Sequence, residues 1–411
     1  MSSFHRDKFL FHCIGNNMKI NTNNEVCKQE RSIYLTRRYS QLAEKFGWSI
    51  AGSALAYDVS GAIGIITLAV AMISAATLSS GALYHLGIDL QPRLIRNALA
   101  WRAFSFTTML LGGYYGNLWV VVVGGVASGV FVGVFWPTYY RIQRICGLDF
   151  PEWNVRDKIA GAFIVLLSGF SVDLLGVELV LIVSLVAILA SGKYSMDLMG
   201  GHDGRWVTGS TSDVTPFRAL SSLPALIAMT EGTFNWMASL TRLLVIMTGL
   251  LEVASLPAAV GLGLLLALTG AFGAGITWGV EKWMGESKSV GNKLVAFGLS
   301  ISFASSLLLA SEHTWIVGMV LLSIGSAMVF PLLKEEVDGK LDSSGSGGRG
   351  LREYSRNIGR LVGSLTIAAI WITIPELPVL ALPIAASVLV VACLCIISMG
   401  NISISQYRKF Q

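Results

Sequence analysis

Four residues on one apolar stretch have the types and spacing to do chemistry. Glu231, Asn235, Ser239 and Arg242 interrupt an otherwise hydrophobic run at 222–250. At about 100° per residue they fall at roughly 0°, 40°, 80° and 20° around a helix, which makes a single polar stripe. A carboxylate on such a stripe can carry a proton, and a guanidinium offers a planar fork to a carboxylate or phosphate. Glu231 and Arg242 are 11 residues apart, about 16 Å along the axis, too far for a direct ion pair. Each therefore needs another partner. For Arg242 the candidates are an acid near the outer helix ends, Asp58 or Asp173, an anionic group of a solute, or a lipid headgroup. For Glu231 they are a proton, or a fixed hydrogen bond to Asn235 or to a neighbouring helix. Trp236, in the middle of the run, is the aromatic placed to touch a solute. Asp58, Glu44 and Arg356 are further candidates for a gate or a partner, and Arg356 shares a helical face with Arg360, four residues on.

The elements that position these residues follow from composition. Of 411 residues, 53% are hydrophobic and 13% charged, with mean hydropathy +0.64, against about 25% charged in a soluble domain. The apolar residues must face lipid, and a soluble enzyme is excluded. The formal charge of +5 does not indicate nucleic acid, because the basic residues punctuate apolar runs and form no patch. The five cysteines show neither a disulfide nor a metal framework: Cys13 and Cys27 lie in a polar tail, Cys146 in a basic loop, and Cys393 and Cys395 two apart on different helical faces.

Cutting the chain into runs near 20 residues, the length that crosses a hydrocarbon core, yields twelve. They cover 41–57, 59–87, 95–115, 117–141, 157–175, 177–192, 222–250, 253–281, 291–311, 314–334, 354–374 and 377–399. Lys and Arg near helix ends stay on the cytoplasmic side. Every Lys and Arg except Arg242 falls in the N-terminal tail, in an even-numbered connection or in the C-terminal tail, with Arg93, Arg96 and Arg102 assigned to the second connection. The odd-numbered connections carry only residues such as Asp58, Asp173, Glu178, Glu252 and Glu312. Both termini are therefore expected in the cytosol. The domain plan is a polar cytosolic tail at 1–40, a six-helix bundle at 41–192, a cytosolic linker at 193–221, a second six-helix bundle at 222–400 and a cytosolic tail at 401–411.

The halves echo each other. Trp119 opens the fourth run, followed by Gly124, Gly125, Gly129, Gly133 and a Phe135-Trp136-Pro137 end, while Trp315 opens the tenth, followed by Gly318, Gly325 and Val329-Phe330-Pro331. Arg156-Asp157 and Arg352-Glu353 then start the fifth and eleventh runs, and Glu44 with Trp48 is echoed by Glu231 with Trp236. Transporter folds are commonly built from such repeats. On these residues the chain resembles the major facilitator superfamily of secondary transporters over roughly residues 36–400. The superfamily's loop between spans two and three is replaced by GALYHLGIDLQPRLIR, with His85 in the acid's place, and a looser version survives in Gly279, Glu281, Lys282 and Gly285. The resemblance implies an all-α membrane protein of 12 transmembrane helices in two pseudo-symmetric six-helix bundles. It also implies that spans one, four, seven and ten line a central cavity, which would place the stripe of span seven where solute passes.

Trp136, Tyr139, Tyr140 and Trp315 sit near run ends, where aromatics anchor to the membrane interface, and the glycines of the fourth run suit close helix crossing. No Gly-x-x-x-x-Gly-Lys-Ser/Thr loop is present, so the sequence shows no nucleotide engine, and SSGSGGRG at 343–350 reads as a flexible linker. The expectation is a permease of the cell membrane that moves a small molecule by alternating access as a symporter or uniporter, proton-coupled and with an anionic substrate. It has no cofactor, no metal and no catalytic residues, and acts as a monomer among membrane lipids. A lipid-flipping transporter or a non-transporting scaffold of the same fold is the alternative, and a membrane-embedded enzyme ranks below both. The topology is checked by cysteine labelling: in intact cells, Cys13 and a cysteine introduced by Ser343→Cys should both stay unreactive toward an impermeant thiol reagent.

Overall fold

The computed structural model describes residues 21–86, 91–145, 151–197, 220, 223–249, 253, 255–284, 288–309, 311, 313–342 and 348–374. Within these residues the chain is helical and contains no strand, as lipid requires, because a helix satisfies its own backbone donors and acceptors where water is absent. The helices are α1 (Asn21–Ala43), which passes without a break into a π-helical segment (Glu44–Gly52), then α2 (Ser53–His85), α3 (Pro92–Tyr114), α4 (Leu118–Ile145), α5 (Pro151–Leu175), α6 (Val177–Asp197), α7 (Leu223–Met247), α8 (Ala258–Met284), α9 (Lys288–Leu308), α10 (Trp315–Asp342) and α11 (Gly348–Thr373). Five described stretches are long and apolar enough to cross a membrane: Arg31–His85, Leu118–Gln143, Asp157–Leu175, Val177–Met196 and Ala258–Gly279. Large apolar side chains cover the outside, among them Phe104, Phe163, Leu167, Leu174 and Val186. The protein is a multi-pass, all-helical membrane protein.

Several boundaries differ from the sequence reading. The chain is already helical at Asn21, inside the stretch read as a tail, and Ile33, Thr36, Arg37 and Ser40 are buried in the bundle. The first two spans share one element that breaks at Ser60 (φ −150°, ψ 20°) and Gly61 (φ 60°, ψ −150°). The second of these conformations is open essentially to glycine alone. Gly176 (φ 85°) makes a similarly abrupt turn between α5 and α6. Pro137, read as an end of the fourth span, lies inside α4, which continues to Ile145; losing one backbone N–H costs less than ending a helix in lipid, where every orphaned carbonyl would need a partner. Gly348–Gly350 of the presumed flexible stretch open α11. The twelfth run at 377–399, most of the 193–221 linker, the 401–411 tail, Cys13, Cys146, Cys393 and Cys395 lie outside the described residues.

Close helix crossings rest on glycine. A Cβ at Gly129 would stand 2.0 Å from the Met72 carbonyl oxygen, pressing α4 on α2, and one at Gly359 would stand 1.8 Å from the Met229 carbonyl oxygen, pressing α11 on α7. Gly232 meets the Arg356 backbone from the other side of that crossing. α5 and α8 approach through Gly169 against Ala259 and Gly263. Gly129 and its repeat mate Gly325 do not repeat their partners, since Gly325 faces Ser302 and Gly298 of α9. The first six helices meet the rest mainly through α2 with α11 and α5 with α8. On the α2–α11 face Asn357 Nδ2 donates to Ser80 Oγ at 3.1 Å, Thr77 Oγ1 donates to the Asn357 carbonyl at 3.1 Å, and Tyr354 stacks on Tyr84 with ring centroids 6.1 Å apart. These contacts lie in the parts of α2 and α11 nearest the basic connections.

Because the obstacle at Gly359 is backbone rather than a movable side chain, Gly359→Val should cost about 3 kcal/mol, at the upper end of overpacking penalties. The expected outcome is a lowered midpoint of thermal unfolding in detergent, with Gly275→Val, where no atom lies within 4 Å, close to wild type.

Candidate functional site

The predicted stripe lies on the more accessible face of α7. Ser239 is exposed and Glu231, Asn235, Trp236 and Arg242 are half-buried, whereas Phe234, Met237, Ala238, Leu240, Thr241 and Leu244 turn into the core. The apolar positions recur every three or four residues, which drives one face inward and leaves the polar one open.

The two charges at its ends meet different environments. Glu231 is gripped by α11: Arg352 Nη2 lies 3.4 Å from Oε2 and Arg356 Nη2 lies 3.3 Å from Oε1. Arg356 also reaches Glu353 Oε1 at 3.7 Å. Of the partners considered for Glu231, the neighbouring helix is the one found, through a pair of guanidiniums, and not Asn235. Glycines at 232, 359 and 363 bring the two helices close enough for this grip. Arg242 lies 11 residues farther along α7, about 16 Å of helix rise toward the other membrane face. Its Nε donates to the Ala238 carbonyl at 3.1 Å, and it makes no ion pair among the described residues. The suggested pairing with Asp58 or Asp173 does not occur; Asp58 is exposed beside the break in α2, where the charge that reaches it is the like charge of Glu178. The indole N–H of Trp236 is buried without a hydrogen-bond acceptor.

The fourth helix supplies a feature that residue counting missed. Phe131, Phe135 and Tyr139 repeat every four residues on one face of α4 and stack, with centroids 4.8 Å and 5.8 Å apart. Arg102 lies over the Phe131 ring at 5.0 Å and Arg37 over the Tyr139 ring at 5.7 Å, so the column is capped by a cation at each end. At its basic end Arg37 Nη2 and Arg38 Nη1 clasp the carboxylate of Asp157 at 2.8 Å and 2.6 Å, joining α1 to α5.

Arg102 corrects the topology reading, because it is not in a connection but fully buried ten residues into α3. Trp48, Phe106 and Phe131 each stand 5.0 Å from its Cζ, and Nη1 donates to Ser128 Oγ. Three ring faces lower the cost of the buried charge, each by about 0.5 to 2 kcal/mol. An aromatic residue at each of the right turns of three helices was visible in the sequence, but their convergence was not. Tyr139 and Trp315 likewise are core residues, at 0% and 1% exposure, and do not anchor to the interface. Glu44 and Trp48 fall in the π-helical segment, both half-buried. Among the described residues no group of His, Cys, Asp and Glu could hold a metal.

No family model and no curated protein matches the chain. Solved structures do. A bacterial homologue of the iron transporter ferroportin, in its outward-facing state, superposes with a TM-score of 0.64 at 14% identity over 89% of this chain and 98% of that one. The human organic anion transporter MFSD10 gives 0.58 at 13% over 90% and 99%, and the nucleoside transporter NupG 0.59 at 13% over 90% and 98%. At these identities the likeness establishes the fold that these three structures share, over nearly the whole chain.

Removing one member of a buried charge cluster strands the others, at about 3 kcal/mol or more. Asp157→Asn, which leaves Arg37 and Arg38 facing each other without a counter-charge, should therefore unfold at clearly lower temperature, and Asp157→Glu should recover most of the loss.

Proposed function

We propose that this chain is an alternating-access secondary transporter that carries a small anionic solute. Twelve spans form two pseudo-symmetric six-helix bundles, and both termini and the 193–221 linker lie in the cytosol. The observation that supports the solute's charge is Arg242: a guanidinium on the accessible face of α7, within the apolar span, with no acid to neutralise it. Ionisable groups inside a span usually face a cavity or a partner, since leaving them to lipid costs about 2.5 to 3.5 kcal/mol even on the mildest scales. An anionic group of the solute supplies that partner when it docks on the guanidinium fork. Trp236, with a free indole N–H, and exposed Ser239 supply further donors on the same face.

Glu231 takes a different part in this scheme. With a guanidinium on each carboxylate oxygen it serves to fix α11 against α7, so that the two helices move together, and a proton gradient, if one drives transport, does not enter through it. The structural neighbours move iron, organic anions and nucleosides by their descriptions; the shared fold supports carriage as the activity, and the arginine supports an anion as the cargo.

Purified protein is to be screened for thermal stabilisation by small monocarboxylates, dicarboxylates and inorganic phosphate, and the hits followed as flux into liposomes. Arg242→Lys keeps the charge but loses the fork, and should weaken the apparent affinity for the hit about tenfold while unfolding near the wild-type temperature. Glu231→Gln should lower stability and keep the wild-type pH profile of uptake. Wild-type affinity in the first variant would remove the solute from Arg242, and no flux for any anion would remove anion transport.

A further inference from the structure

Arg102 is an incompletely satisfied cation. Its side chain is fully buried, its faces are covered by three rings and Nη1 is bonded to Ser128, yet Nε and Nη2 have no hydrogen-bond partner. Those two atoms form the side edge of the guanidinium, the parallel pair of N–H groups that receives a carboxylate in bidentate fashion. A buried donor pair of this kind calls for an acceptor.

Glu44 is the acid whose charge reaches Arg102. It stands four residues before Trp48, which itself touches Arg102, so the two groups sit about one turn apart in depth. By helix rise Glu44 also lies level with Arg360 of α11, each about 20 Å from the non-basic end of its span, and its charge reaches Arg360 as well. Arg360 bonds only Asn357 Oδ1, at 2.9 Å. Glu44 itself makes no ion pair among the described residues. The charge of one carboxylate thus reaches two arginines, Arg102 of α3 and Arg360 of α11, the latter also acted on by Glu353 and Glu231, and neither arginine has an acid in contact among the described residues.

Glu44 opens the π-helical segment that follows α1. From Glu44 to Gly52 the backbone is wound as a π-helix, with Ser49 Oγ donating to the Glu44 carbonyl five residues back at 3.4 Å. Rewinding any part of it to α geometry rotates Glu44 about the α1 axis relative to Trp48, and π-helical turns are found mostly where such adjustment serves function. We propose that Arg102 is a positioning residue acting through Glu44: when the α2–α11 contact at the basic face opens and carries Arg360 away, the Glu44 carboxylate docks on the Nε–Nη2 edge of Arg102 and holds α1 in its rewound form. This rests on the alternating-access reading given above.

The test uses the full chain in liposomes, with its five cysteines replaced by serine and Tyr84→Cys added as a reporter in the α2–α11 contact, labelled by a thiol reagent from the basic face. Glu44→Gln and Arg102→Met should each slow labelling about tenfold, the range in which site couplings commonly fall, and the double variant should be no slower than either. Arg360→Met should act in the opposite direction and speed labelling, because it weakens the closed arrangement. Should Arg102→Met fail to insert, Arg102→Lys keeps the charge without the edge and should show the same slowing. A wild-type labelling rate in Glu44→Gln, or multiplied effects in the double variant, would overturn the pair and leave Arg102 a core residue held by its rings. A reporter that never labels in the otherwise unaltered chain would overturn alternating access itself, and the pair with it.

Discussion

A charge inside a hydrocarbon layer must be neutralised, shared or shielded where it stands, and that constraint organises this protein. Each solution appears on a different helix. Asp157 is neutralised by two arginines of α1, Glu231 by two of α11, and Arg102 is shielded by rings from the π-helical segment, α3 and α4. The first two arrangements place acid and bases in opposite chain order: in one the bases are on α1 and the acid on the later α5, in the other the acid is on α7 and the bases on the later α11. The repeat preserves the need for a clasp and not the residues that make it.

Such clasps need helices that lie close, and lipid offers no hydrophobic drive to bring them together. Glycine supplies the approach by removing side chains from the crossing, so that backbone meets backbone at Gly129, Gly232 and Gly359. Charge and glycine therefore act on the same pairs of helices. Where Gly232 and Gly359 let α7 and α11 touch, the Glu231 clasp locks their register, and the accessible stripe of α7 is held in place as a result.

Much of the plan could be read from the chain because it is set by composition and by period. Apolar composition predicted an all-helical membrane protein, and the 100° step predicted that Glu231, Asn235, Ser239 and Arg242 share a face. What escaped depended on contacts between helices. Arg102 reads as a loop residue because Arg93 and Arg96 stand nearby in sequence, and only the meeting of Trp48, Phe106 and Phe131 makes its burial tolerable. The Phe135-Trp136-Pro137 motif reads as the end of the fourth span, yet the helix runs on to Ile145, since in lipid losing one backbone N–H costs less than ending the helix. The grip on Glu231 was not legible either, since nothing in the spacing of α7 indicates which face of α11 it meets.

The break at Ser60 and Gly61 has a consequence of its own. Two residues are too few to act as a slack tether, so the first and second spans are joined as the arms of a stiff hairpin. The far end of the second arm carries Tyr84 and His85, whose rings rest on Tyr354 across the molecule. The first arm contains the π-wound segment with Trp48. One unbroken stretch of chain thus places the π-wound segment on one side of a single glycine and, on the other, the rings that meet α11, so that the geometry at Gly61 fixes how far apart those two contacts stand.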